Sequence, residues 1–247
     1  FPNDELLELH EDECFVRCLD RYADPSRILA AGCIETQFFA DRRRGALRQL
    51  RELRSAAQGL VGVISAPVDL VPHQIATVRR VVSDRTVRYL LADEVGLGKT
   101  IEAGLIIRQL LLDDPQLVIR VFTPASLVKQ WRAELSSKCH LDEESVTVHA
   151  HEDLRSLDTN ELPGLLVVDE AHRLISQTER DRPTQAHQDL RRFALQIPKL
   201  LLLSATPALG DEARLLGLLN LLDPAAYPLD DLAAFRSRVA ARQQIGR

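Results

Sequence analysis

From about residue 65 onward the chain alternates short apolar runs with longer amphipathic stretches. The runs are Arg88 to Ala92, Leu117 to Phe122, Val146 to Val148, Leu165 to Val168 and Leu200 to Leu203. Each has the length of a strand, and each is followed by a segment with helical spacing. This alternation predicts a parallel sheet covered by helices on both faces. In such sheets ligands bind beyond the carboxyl ends of the strands, so the chemistry is expected just after the apolar runs. Helical patterns start at Ile101 and, after Pro207, cover Asp211 to Leu222 and Leu229 to Gln243.

Residues 1–62 read differently. Six acidic residues (Asp4, Glu5, Glu8, Glu11, Asp12, Glu13) precede any basic one, and Cys14 to Leu19 has the pattern of a strand. Arg42, Arg43, Arg44, Arg48, Arg51 and Arg54 follow at helical spacing, which predicts a helix over about 41–58. This arginine stripe reads either as a solvated helix face or as a contact for phosphate. The expected organisation is a small α+β accessory region over 1–62 followed by an α/β domain over 63–247.

Composition narrows this picture. With 45% hydrophobic and 27% charged residues, the 247-residue chain is ordinary globular material, one large domain or one plus a smaller piece. No apolar run approaches the ~20 residues that a membrane span needs. The net charge of −5 argues against general polyanion binding but permits a local basic face. Four cysteines (Cys14, Cys18, Cys33, Cys139) form no Cys-x-x-Cys pair, which points to reduced thiols, a cytoplasmic location and no structural metal. There is no methionine and the chain starts at Phe1, so it is expected to be a trimmed piece of a longer protein.

The first apolar run leads into Asp93-Glu94-Val95-Gly96-Leu97-Gly98-Lys99-Thr100. Glycines there let the backbone turn tightly and direct N–H groups at phosphate oxygens, and the helix that follows adds a favourable dipole. Lys99 is placed to reach the β and γ phosphates and the Thr100 hydroxyl to hold Mg²⁺. Position 93 is Asp where the strict phosphate-loop pattern has Gly. The fourth run ends in Asp169-Glu170-Ala171-His172. Asp169 suits a hard cation, and Glu170 suits the orientation or deprotonation of an attacking water. On its own such a pair is often a helix N-cap, but together with the glycine loop it makes a nucleotide-hydrolysis site.

The series Asp93 to Thr100, Asp169 to His172 and Ser204-Ala205-Thr206-Pro207 resembles the superfamily 2 helicases and translocases, where Asp in place of the first loop glycine is usual. Leu91 to Gly104 is similar to the SWI/SNF-type ATPases, above all their bacterial RapA-like branch. Pro72-His73-Gln74 matches the glutamine motif of that group, and Thr123 to Leu127 with Gln130-Trp131 matches its next motif. The N-terminal segments Glu35 to Phe39, Arg42-Arg43 and Gly59 to Gly62 are similar to the helicase-like DpdE proteins of bacterial systems that insert deazaguanine bases into DNA. The DISARM anti-phage helicases are near neighbours.

The resemblance implies a RecA-like P-loop NTPase lobe that uses ATP and Mg²⁺ and acts on double-stranded DNA, with other proteins of a modification or defence system as further partners. It implies that Gln74 reads the adenine edge and that Gly96, Gly98, Lys99 and Thr100 hold the phosphates. Asp169 and Thr100 hold the metal, with Glu170, Lys99 and Asp169 as the catalytic groups. Ser204 and Thr206 couple nucleotide state to movement of a second lobe. Thr123, Pro124, Ser126 and Lys129 lie near the nucleic-acid backbone. Trp131 reads either as a base-stacking side chain or as the core anchor of its helix. The family completes its site with arginine fingers from a second lobe, and the residues after Pro207 are too few for one. The 247 residues alone are therefore expected to bind ATP weakly and to hydrolyse it poorly.

Overall fold

The computed structural model describes residues 45, 48–50, 52, 53, 55–69, 71–92, 98–157, 161–175, 185–205 and 211–245. The chain divides into two compact units, Phe1–Ser55 and Ala56–Arg247. In the first unit the described residues are helical, in line with the expected helix over the arginine stripe. The strand expected at Cys14 to Leu19 lies outside the described residues.

The second unit is a five-stranded parallel sheet of β1 (Arg88–Leu91), β2 (Ile119–Thr123), β3 (Val146–Ala150), β4 (Leu165–Val168) and β5 (Lys199–Leu203). The spatial order is β1-β5-β4-β2-β3. All five apolar runs form strands. The helices are α1 (Val61–Ile64), α2 (Pro72–Ser83), α3 (Lys99–Asp113), α4 (Val128–Cys139), α5 (Gln185–Ala194), α6 (Glu212–Leu222) and α7 (Leu232–Ile245). Proline at the first position of α2 loses no hydrogen bond there and presets the helical φ.

The runs are apolar throughout because both faces of the sheet are covered, with neighbouring residues of one strand entering opposite cores. Val121, Leu165, Val167, Leu201 and Leu203 pack with Ile75 and Val78 of α2, Leu105 and Ile106 of α3, and Trp131 and Leu135 of α4. Phe122, Leu166, Val168, Leu200 and Leu202 pack with Leu190 and Phe193 of α5 and Leu218 and Leu221 of α6. The four residues of β4 are fully buried, which fixes the position of whatever follows it.

Arg88 departs from its run. Its guanidinium donates to the carbonyls of Leu222 (2.7 Å), Ile197 (2.9 Å), Ala194 (2.8 Å) and Leu221 (2.6 Å). Ala194, Leu221 and Leu222 are the last residues of α5 and α6, whose final carbonyls have no partner within their own helix. One cation at the start of β1 thus closes two helix ends, where the helix dipoles favour positive charge.

Candidate active site

Three strand ends meet on one edge of the sheet. β5 separates β1 from β4, and its exit is tied to β1 by the Ser204 N–H, which donates to the Leu91 carbonyl at 3.0 Å. The ends of β1 and β5 are thereby joined, with β4 as the other neighbour of β5. Gly96 and Thr206 lie outside the described residues.

Gly98 directly precedes α3 with φ 86° and ψ 29°, a left-handed conformation that glycine adopts without the Cβ penalty of other residues. A Cβ at this position would strike the Gln74 side-chain nitrogen. Gln74, in the first turn of α2, therefore rests directly against the start of α3. It also lines a cavity of about 480 Å³ together with residues 66–69, Val71, Ile101 and Lys138. Lys99 and Thr100 are half-buried in the first turn of α3, where the helix dipole and the direction of the backbone N–H groups suit an anion.

Asp169 is buried at the exit of β4, with its backbone N–H on the Phe122 carbonyl at 2.8 Å. Its Oδ2 accepts from the Trp131 indole N–H at 2.8 Å and from the Thr123 hydroxyl at 3.1 Å. Its Oδ1 accepts from the Glu170 backbone N–H at 2.9 Å. The Asp169 carbonyl contacts His151 Nε2 at 2.8 Å, so this nitrogen carries the proton, because a carbonyl oxygen can only accept. Burial holds His151 below the ordinary imidazole value, with the Asp169 carbonyl opposing.

Glu170 has φ 46° and ψ 40°, a left-handed conformation that costs a residue with a Cβ about 1–2 kcal/mol. The turn sends its side chain back to His172, whose Nδ1 lies 3.2 Å from Glu170 Oε2 and 3.1 Å from the Ser204 hydroxyl. A carboxylate only accepts, so Nδ1 carries the proton and His172 bridges the acidic motif to the exit of β5. Burial pushes the His172 imidazole below its usual value, with Glu170 acting against it.

The other expected residues fall into two groups. Thr123 is fully buried, with its hydroxyl turned to Asp169 and not to the surface, and Pro124 is buried beside it. Ser126, in the 3₁₀ turn Ala125–Leu127, and Lys129, in the first turn of α4, are exposed. Trp131 is 2% exposed and anchors its helix in the core, so its ring is not presented for base stacking. Its bond to Asp169, the His151 contact and the His172 bridge were not read from the sequence. His172 carried a signal as the last residue of its motif, whereas His151 stands in no motif.

The Asp169 carboxylate, with one oxygen saturated by two donors, and the Thr100 hydroxyl are hard oxygen donors of the kind that fits Mg²⁺. Among the described residues no cluster of three or more His, Cys, Asp or Glu offers a different kind of metal site. Residues 73–162 match the SNF2-related domain. This SNF2-related segment contains Gln74, Gly98, Lys99, Thr100 and the stretch from Thr123 to Trp131, and it ends just before β4. The chain is 35% identical over 243 residues to the RNA polymerase-associated protein RapA of Cronobacter sakazakii, covering 87% of this chain and 24% of that protein. It thus spans about a quarter of the curated relative's length. Its fold is that of the Sulfolobus solfataricus SWI2/SNF2 ATPase core. The TM-score is 0.57 against the form in complex with dsDNA, at 20% identity over 70% of this chain and 39% of that one. Against a second structure, of the Sulfolobus solfataricus SWI2/SNF2 ATPase core domain, it is 0.54, at 20% identity over 74% of this chain and 40% of that one. The expected RecA-like α/β architecture is thereby met.

Proposed function

We propose that this chain is the ATP-binding lobe of an SNF2-type, Mg²⁺-dependent and DNA-stimulated ATPase that moves along double-stranded DNA. The observation that supports this reading is the joined edge of the sheet, where the end of β1, the Asp-Glu pair and Ser204 are linked by the Leu91, Glu170 and His172 contacts, together with the Gln74 side chain against Gly98 at the start of α3. The cavity at Gln74 has room for an adenine base. The N–H groups at the start of α3, with Gly96, Gly98 and Lys99, bind the phosphates. Thr100 and Asp169 hold Mg²⁺, which neutralises phosphate charge when bound. Glu170 takes a proton from, or orients, the attacking water, and His172 keeps its carboxylate aimed. Ser204 and Thr206 transmit the nucleotide state to a second lobe. Ser126 and Lys129 meet the DNA backbone from the exposed start of α4.

In this reading residues 63–247 are the nucleotide-binding lobe and residues 1–62 an accessory region. The 247 residues turn over poorly without the arginine fingers of a second lobe. Among the described residues no helix is long and apolar enough to cross a membrane. The place of work in this reading is the cytoplasm. The N-terminal likeness to DpdE and DISARM helicases favours a place in DNA modification or anti-phage defence. The identity to RapA favours a second reading, a remodeller bound to RNA polymerase. ATPase assays of the full-length protein with duplex DNA or single-stranded RNA test the main reading. Stimulation by duplex DNA is expected, and stimulation by RNA alone overturns it. Retention of RNA polymerase on the immobilised protein selects the second reading.

A further inference from the structure

The stretch from Thr123 to Trp131 faces two ways. Ser126 and Lys129 are exposed, whereas Thr123 and Trp131 are buried and both donate to one atom, Asp169 Oδ2. A buried indole N–H is a donor only, and leaving it without an acceptor is costly, so Trp131 and Asp169 hold each other. The two donors sit on different elements. Thr123 ends β2 inside the sheet, paired with Ala150 of β3. Trp131 rides on the first turn of α4, which is pinned at its other end, where Arg108 donates to the Cys139 and His140 carbonyls and Gly104 packs against Cys139. One oxygen of the carboxylate is therefore held from two separate elements, β2 and α4.

We propose that Trp131 and Thr123 are positioning residues that relay contact of a DNA backbone at the start of α4 to the Asp169 carboxylate, setting its Oδ1 toward the metal and so producing the stimulation by DNA. The relay rests on the Mg²⁺-ATPase reading above. It explains why a segment expected to touch nucleic acid also commits two buried side-chain donors to the Asp169 carboxylate.

The test uses the full-length protein carrying Trp131→Phe, which keeps an aromatic ring but no donor, or Thr123→Val, which keeps the shape but not the hydroxyl. Thr123→Ser serves as the conservative rescue. Three quantities are measured: the Mg²⁺ dependence of ADP binding by calorimetry, affinity for duplex DNA, and the ratio of DNA-stimulated to basal ATPase rate. The relay predicts Mg²⁺ affinity at least ten-fold weaker in the donor-less variants, the scale typical of groups that orient metal ligands. It also predicts a stimulation ratio falling toward one, DNA affinity within about two-fold of the parent, and recovery in Thr123→Ser. Unchanged Mg²⁺ affinity overturns the relay, as does an equal fall in basal and stimulated rates. An unsubstituted protein without DNA-stimulated hydrolysis overturns the functional reading and the relay with it, whereas stimulation that survives both substitutions overturns the relay alone.

Discussion

Replacing Arg88 with methionine keeps an unbranched apolar stem at the start of β1 and removes every donor from the ends of α5 and α6. Four carbonyls lose a charged partner. Hydrogen bonds to charged groups contribute about 1.5–3 kcal/mol each, which would sum to roughly 6–12 kcal/mol if they were independent. They are not independent, because one guanidinium serves all four and its position is only partly buried, so water reaches some of the freed carbonyls. The expected loss is about 3–4 kcal/mol, near the lower end of what breaking a buried charge network costs. At about 2–4 °C per kcal/mol for a domain of this size, the melting temperature should fall by roughly 6–16 °C. Arg88→Lys should recover less than half of this, since a point charge cannot span carbonyls that a planar fork reaches together. Chemical denaturation of parent, Arg88→Met and Arg88→Lys proteins under one condition measures all three stabilities. A loss below about 1 kcal/mol for methionine, or full recovery by lysine, would refute the reasoning.

Two further substitutions or conditions probe the site and the fold. Gly98→Ala combines a left-handed conformation with a Cβ directed at the Gln74 amide, so it should cost roughly 1–2 kcal/mol. It should also weaken ATP binding at least ten-fold in a nucleotide titration, and undiminished affinity would contradict the role given to the Gln74–Gly98 contact. Burial holds His149, His151, His172 and His187 below the ordinary imidazole value of 6.5. The unfolded chain then takes up protons before the folded one, so stability is complete above about pH 6.5 and falls as the pH drops below it. Melting temperatures measured from pH 7.5 to 5.5 should decline on the acid side, and a flat or rising profile would contradict this.

The strands were legible because a sheet covered on both faces writes its strands as short apolar runs, and all five runs were used. Their order was not legible, since periodicity says nothing about distant partners. Only the fold shows β5, last in the chain, lying between β1 and β4, which is what lets the Ser204 N–H reach the Leu91 carbonyl. Arg88 was read as part of an apolar run because nothing local shows that two helix ends converge on it. The phosphate loop and the acidic pair stand out in the sequence because the chemistry expected of them depends on local spacing. The residues that hold them were not: Trp131 and His151 act on Asp169 from 38 and 18 positions away. Thr123 was assigned to a nucleic-acid contact by its motif, while its side chain is committed to the carboxylate.

The central claim is that Glu170 at the end of β4 serves hydrolysis of a nucleotide held at the start of α3. Its most direct test is a single-turnover measurement of ATP hydrolysis by the full-length protein and its Glu170→Gln variant, with duplex DNA and Mg²⁺ present and nucleotide affinity measured in parallel. The account predicts that the variant binds ATP within a few-fold of the parent and hydrolyses it about 10²–10⁴ times more slowly, the range for loss of a general base. Hydrolysis at the parental rate by Glu170→Gln would contradict it.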